Sequence, residues 1–278
     1  MEFRVLGPFE VVDEELGIVP LGAAKERALL ALLVLHADEV VSSERMIDEL
    51  WGERPPESAT NVLHTYISHL RSTLEPGRRR GVEGLIVTRP PGYLLRLEPG
   101  QLDLHRFEKL VHEARSTGDP AQALMTLNEA LALWRGPPLQ EFTFDGFAQA
   151  EISRIEELHL AAVERRIEIE LALGRDGDHV AELEALVAVH PLRERLVGQL
   201  MLALYRAGRQ AEALEVYRTI RRRFADELGI EPGTELQELH RAILNHDASL
   251  DARAPHVRAD GARRRRRIGA SVLSLIHI

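Results

Sequence analysis

The chain has 278 residues, no cysteine, and a formal net charge of −9 from 35 basic and 44 acidic side chains. That length allows two domains, and the missing thiols exclude disulfides and thiolate metal sites and fit a reducing cytoplasm. No apolar run is long enough to span a bilayer and MEFRVLGPFEV is not a signal peptide, so no membrane partner is expected.

The charge is unevenly spread. Residues 1–100 hold 11 basic and 16 acidic side chains, residues 101–250 hold 17 and 26, and residues 251–278 hold 7 and 2. Within the first region, residues 58–97 carry six arginines against only Glu75 and Glu83. Local field matters more than total charge for contact with phosphate, so this stretch is where a nucleic-acid surface is expected.

In chain order, Glu2–Val12 reads as short strands broken at Gly7-Pro8, and Leu16–Leu21 as a further strand. Ala23–His36 is predicted as a helix with Leu29, Leu32 and Leu33 inward. Ser43 is placed to cap a helix over Glu44–Trp51, with Met46, Ile47, Leu50 and Trp51 on one side. Gly52 and Pro55-Pro56 stop it. A third helix follows over Ser58–Leu74, with Ser58 as its cap. The spacing predicts an apolar stripe of Val62, Ile67, Leu70 and Leu74, widened by Leu63 and Tyr66.

The other face of this third helix shows Asn61, His64, Thr65, Ser68, His69, Arg71 and Ser72. It has hydrogen-bonding groups, one permanent cation and no acid, whereas an ordinary solvated face mixes both signs. Such a face either meets water or reads base edges and phosphates. The flanking elements decide between these. Two helices joined by a short turn form a helix-turn-helix pattern. Leu85–Thr88 and Tyr93–Leu97 then read as strands joined by Arg89-Pro90-Pro91-Gly92, a hairpin in the position of a wing. The wing places Arg89 near a minor groove or a phosphate; the alternative for Arg89 is a solvated turn.

DELWGERPP, NVLHTYISHLRSTL and LIVTRPPGYLL together resemble the winged helix-turn-helix of OmpR/PhoB type. More narrowly they resemble the Streptomyces antibiotic regulatory protein family, also called the AfsR/DnrI/RedD family. That family often has Ser-Arg-Leu-Arg where this chain has Ser68-His69-Leu70-Arg71, so His69 replaces an expected cation.

The remainder reads as helices. Phe107, Leu110, Val111 and Ala114 follow helical spacing, and Asp119-Pro120 opens the next helix, which Gly136-Pro137-Pro138 ends. Further helices are predicted over about 147–173, 179–189, 191–207, 210–228 and 235–244. Arg206–Leu214 with Tyr217 resembles a tetratricopeptide repeat, in which small Gly208 and Ala213 would let helices approach closely. Together ALALWRGPPL, HPLRERLVGQLMLALYRAGRQAEALEVYR and ELGIEPGTELQELHRAIL resemble the bacterial transcriptional activation domain of that family.

The expected fold is therefore mainly α with a small β component. A winged helix-turn-helix over 1–97 precedes an all-α, TPR-like domain over 103–247. Residues 251–278, with five consecutive arginines from Arg263, read as a basic disordered tail whose LSLIHI end is expected to be non-native. No catalytic residue, cofactor or metal site is expected: there is no G-x-x-x-x-G-K-[ST], no H-E-x-x-H, and His64 and His69 lie off ligand spacing. Glu156-Glu157 and Glu168/Glu170 read as an exposed helical face.

As base-edge readers the candidates are Asn61, His64, Thr65, Ser68 and His69, with Ser72 on the same face. Arg71, Arg78 and Arg89 are candidates for phosphate or minor groove. Thr60 at the helix N-terminus, and Lys25 and Arg27 at the start of the first helix, are candidates for backbone contact. The resemblance implies an activator bound to tandem direct repeats in double-stranded DNA as two protomers side by side. It also implies promoters of secondary-metabolite or antibiotic genes, recruitment of RNA polymerase through its sigma factor, and a nucleoid-associated, cytoplasmic location. The alternatives are a TPR-type protein adapter, or a repressor using the same DNA-binding domain.

Overall fold

The computed structural model describes residues 1–76, 84–175 and 179–251. It divides into two compact units, residues 1–169 and the chain from Glu170 on.

In the first unit, β1 (Glu2–Arg4), β2 (Glu10–Asp13) and β3 (Gly17–Ile18) form an antiparallel meander with Phe3 opposite Val11. Both of these side chains are buried, as alternation on a half-buried sheet requires. Next, α1 (Ala24–Leu35) buries an unbroken run from Ala28 to Val34. After β4 (Val41–Ser42) comes α2 (Ser43–Trp51), which buries Met46 and Leu50. Its cap is Ser42, not Ser43: the Ser42 hydroxyl accepts the Arg45 N–H at 3.1 Å. Gly52 at φ +58° ends the helix, a conformation costly for residues with a Cβ.

The helix α3 (Ala59–Leu74) has Ser58 at its N-cap position, but the Ser58 side chain makes no capping bond. Its buried set is Ala59, Leu63, Ile67, Leu70 and Leu74. Leu63 thus takes the central place expected for Val62, which is half-buried. A buried Leu or Ile contributes about 1.5–3 kcal/mol, so this stripe orients the helix. Trp51 stacks on Tyr66 with centroids 6.2 Å apart and links α2 to α3.

The hairpin β5 (Ile86–Arg89) and β6 (Gly92–Leu95) follows, and β4 joins it in the order β4-β6-β5. Gly92 is required here: a Cβ would lie 1.9 Å from the Val41 carbonyl oxygen. Helices α4 (Asp103–Ser116) and α5 (Pro120–Leu131) pack as a hairpin, with Asp119 capping α5 through the Ala121 N–H at 3.0 Å. A 3-10 turn (Gln140–Phe142) then leads to α6 (Gly146–Ala172), within which the division between units falls.

Packing in the first unit crosses the expected junction between residues 97 and 103. Phe3 N–H donates to the Gln101 carbonyl at 2.6 Å, and Arg135 N–H to the Leu6 carbonyl at 2.8 Å. The change of fold type at that junction is therefore not a gap in the packing.

The second unit contains α7 (His179–Val189), α8 (Glu194–Arg206), α9 (Gln210–Leu228) and α10 (Thr234–Leu244). The α8 core face is Leu196, Val197, Leu200, Met201, Ala203 and Leu204. Gly208 does not serve close helix approach as expected: nothing lies within 4 Å of a Cβ there, and its φ of +76° shows that the turn needs it. Ala213 is fully buried. Glu170 is half-buried and sits 3.5 Å from the His179 ring, a correction to the exposed acidic face expected there. Among the described residues no helix is long and apolar enough to cross a membrane.

Candidate nucleic-acid interface

The winged helix-turn-helix presents α3 with an acid-free outer face. Thr60, Asn61, His64, Thr65, Ser68, His69 and Ser72 are all exposed. Two hydroxyls are partly spent within the helix: Thr65 Oγ1 donates to the Asn61 carbonyl and Ser72 Oγ to the Ser68 carbonyl, both at 3.0 Å. Each then keeps lone pairs as an acceptor, while Asn61 and His64 bring nitrogen groups to the same side. Thr60 sits in the first turn, where N–H groups and the helix dipole favour an anion.

His69 sits at the margin of this face. Its Nδ1 lies 2.9 Å from Oε1 of Glu26, whose side chain is buried against the start of α1. The imidazole is thus tied to a carboxylate, which lessens any attraction for phosphate. The only mark of Glu26 in the sequence is an acid in the first turn of α1, where the helix dipole favours negative charge.

The candidate cations divide. Arg71 does not point outward as expected of a phosphate contact. Its Nε donates to the Ile86 carbonyl at 3.0 Å and its Nη2 to the Thr88 hydroxyl at 2.8 Å. Lys25 donates to the Leu50 carbonyl in the last turn of α2, and Arg27 pairs with Glu141, with Nε 3.2 Å from Oε1. Both serve the packing of the first unit in this arrangement. Arg89 is exposed at the end of β5, beside the Pro90-Pro91 turn. Arg78 lies outside the described residues. Two further arginines of this domain are exposed, Arg54 in the α2–α3 connection and Arg96 after β6. Near the start of α2, Arg45 Nη2 is 3.0 Å from His36 Nε2; burial first, then the Arg45 charge, holds His36 below the ordinary histidine value.

The order β4–α2–α3–hairpin and the helices that follow it in the chain find counterparts among known proteins. Residues 20–95 match the family model described as transcriptional regulatory protein, C terminal, and residues 102–244 match the bacterial transcriptional activator domain. Regulatory protein DnrI of Streptomyces peucetius is 36% identical over 266 residues, covering 93% of this chain and 97% of DnrI. The chain belongs to the Streptomyces antibiotic regulatory protein family of transcriptional regulators.

Regulatory protein AfsR of Streptomyces coelicolor is 43% identical over 255 residues, which cover 90% of this chain but 25% of AfsR. The chain thus spans about a quarter of that larger family member. Among solved structures, Mycobacterium tuberculosis EmbR in complex with a low affinity phosphopeptide is similar, with a TM-score of 0.79 and 37% identity. The match covers 88% of this chain and 65% of the EmbR chain. The winged helix-turn-helix, with α3 as its second helix and β5–β6 as its hairpin, followed by a helical domain, is matched by the EmbR structure.

Proposed function

We propose that this family member is a sequence-specific DNA-binding activator whose α3 enters the major groove. The observation that carries this reading is the exposed, acid-free face of α3, beside a hairpin ending in Arg89. Asn61, His64 and Ser68 are the base-edge readers, with Thr65 and Ser72 as acceptors. Thr60 and Arg89 meet the sugar-phosphate backbone or the minor groove. Lys25, Arg27, His69 and Arg71 take indirect roles through their contacts with Leu50, Glu141, Glu26 and the β5 strand.

Two protomers bind tandem direct repeats upstream of the promoter, the arrangement implied by the family, and the targets are secondary-metabolite genes. Residues 101–250 carry 17 basic against 26 acidic side chains, which repel the duplex. That charge disfavours contact with the duplex, and this region instead meets RNA polymerase with its sigma factor. The protein acts in the cytoplasm at the nucleoid.

Selection from random duplex DNA with the whole chain, followed by footprinting at two salt concentrations, tests this. The expected result is a pair of direct repeats about one helical turn apart, bound with steep salt dependence. Failure to enrich any sequence rejects the reading in favour of a protein adapter.

A further inference from the structure

Arg71 is the only lysine or arginine on α3, and it is spent on the hairpin. Its Nε holds the Ile86 carbonyl, its Nη2 holds the Thr88 hydroxyl, and its guanidinium carbon lies 5.7 Å from the centroid of the Tyr93 ring. Thr88 and Tyr93 face each other in the register of β5 and β6. One planar group therefore touches the backbone and a side chain of β5 and the ring of β6 together. A guanidinium fork suits these three contacts, whereas an ammonium offers a single point of charge.

The placement has leverage. β5 is the outer strand of its three-stranded sheet, so only β6 pairs with it there. Arg89 follows Thr88 directly and closes the register opposite Gly92. Thr88 and Arg89, the last two residues of β5, thus share one short strand backbone.

We propose that Arg71 is a positioning residue that fixes the wing to α3 and so sets where Arg89 meets DNA. This deepens the DNA-binding reading and rests on it. A phosphate contact needs only the charge of Arg71; a positioning role needs the fork and its acceptor on Thr88.

The test measures affinity of the whole chain for its selected duplex, using Arg71→Lys and Thr88→Val, each with and without Arg89→Ala. Arg71→Lys keeps the charge, and Thr88→Val removes the acceptor at an exposed site without altering any cation. Each is expected to weaken binding by about tenfold, the scale of a lost charge-assisted hydrogen bond. Arg89→Ala is expected to weaken the unsubstituted chain, but to add less than about twofold in either background, because the contact is already misplaced. Melting temperatures identify any variant that has lost its fold, and Thr88→Val carries the test if Arg71→Lys does. Unchanged affinity of Arg71→Lys, or an Arg89→Ala effect that multiplies in full in both backgrounds, overturns the proposal. An unsubstituted chain that selects no sequence overturns both this proposal and the DNA-binding reading, and that failure appears before any variant is made.

Discussion

The buried carboxylate of Asp103 accepts the backbone N–H of Val5 at 2.8 Å, and its second oxygen accepts that of Leu6 at 3.0 Å. The first helix of the activator domain thereby satisfies the chain just after β1. Burial pushes the Asp103 carboxyl above its ordinary value, while these bonds and Arg135, 3.6 Å away, oppose the rise. Asp103→Ala leaves two buried N–H groups without a partner and is expected to cost about 2–4 kcal/mol in urea unfolding. Asp103→Asn retains an acceptor oxygen and should lose less. A fragment ending at residue 97 should unfold well before one ending at residue 169. Equal melting of the two fragments would show that this junction contributes nothing.

Gly92 marks how tightly the wing is seated on β4. A Cβ would come within 1.9 Å of the Val41 carbonyl oxygen and 2.7 Å of the Ser42 Cα, both backbone atoms. Gly92→Ala must displace one strand, with an expected loss of about 1–3 kcal/mol. Because Ser42 also caps α2, circular dichroism should show loss of helix along with the lower melting temperature. A variant that melts like the parent would mean that β4 yields freely.

Asn61 and His64 lie three residues apart on the outer face of α3 and make no contribution to its buried stripe. Asn61→Ala and His64→Ala are expected to alter which sequences are selected, each costing about 1–3 kcal/mol of discrimination at one base pair. Thermal stability should change little. An unaltered selected sequence would remove that residue from base readout.

His159 rests on Trp134, with ring centroids 4.0 Å apart, and burial foremost, then the Arg166 charge, holds it below the ordinary value of 6.5. The unfolded chain therefore takes up a proton at this site before the folded chain does. Its contribution is full above 6.5 and is lost as pH falls below 6.5 toward the depressed folded value. The melting temperature should fall over that window. His159→Phe, which keeps a ring against Trp134, should make the fall shallower. His36 and His240 are also held low by burial and neighbouring arginines, so part of the slope should remain. A slope unchanged in His159→Phe would remove this histidine from the linkage.

The helical period of Ile67, Leu70 and Leu74, the opening of α5 at Asp119-Pro120 and the stop at Gly52 are local events, and the sequence specified them. So did the outward, acid-free face of α3, because burying one stripe exposes its opposite. The family motifs, spread over both halves of the chain, identified the order of elements. Tertiary structure alone decided the roles of the charged groups. Lys25 meets Leu50 in the next helix, Glu26 meets His69 across 43 positions, Arg27 meets Glu141 across 114, and Arg71 meets a hairpin formed after it. A long charged side chain reaches several partners, and its one-dimensional neighbours do not say which lies within hydrogen-bond distance. Apolar periodicity is legible because burial depends on the average side of a helix. The assignment of a cation to DNA, to a wing or to a distant carboxylate depends on single contacts of about 3 Å, which only the folded chain fixes.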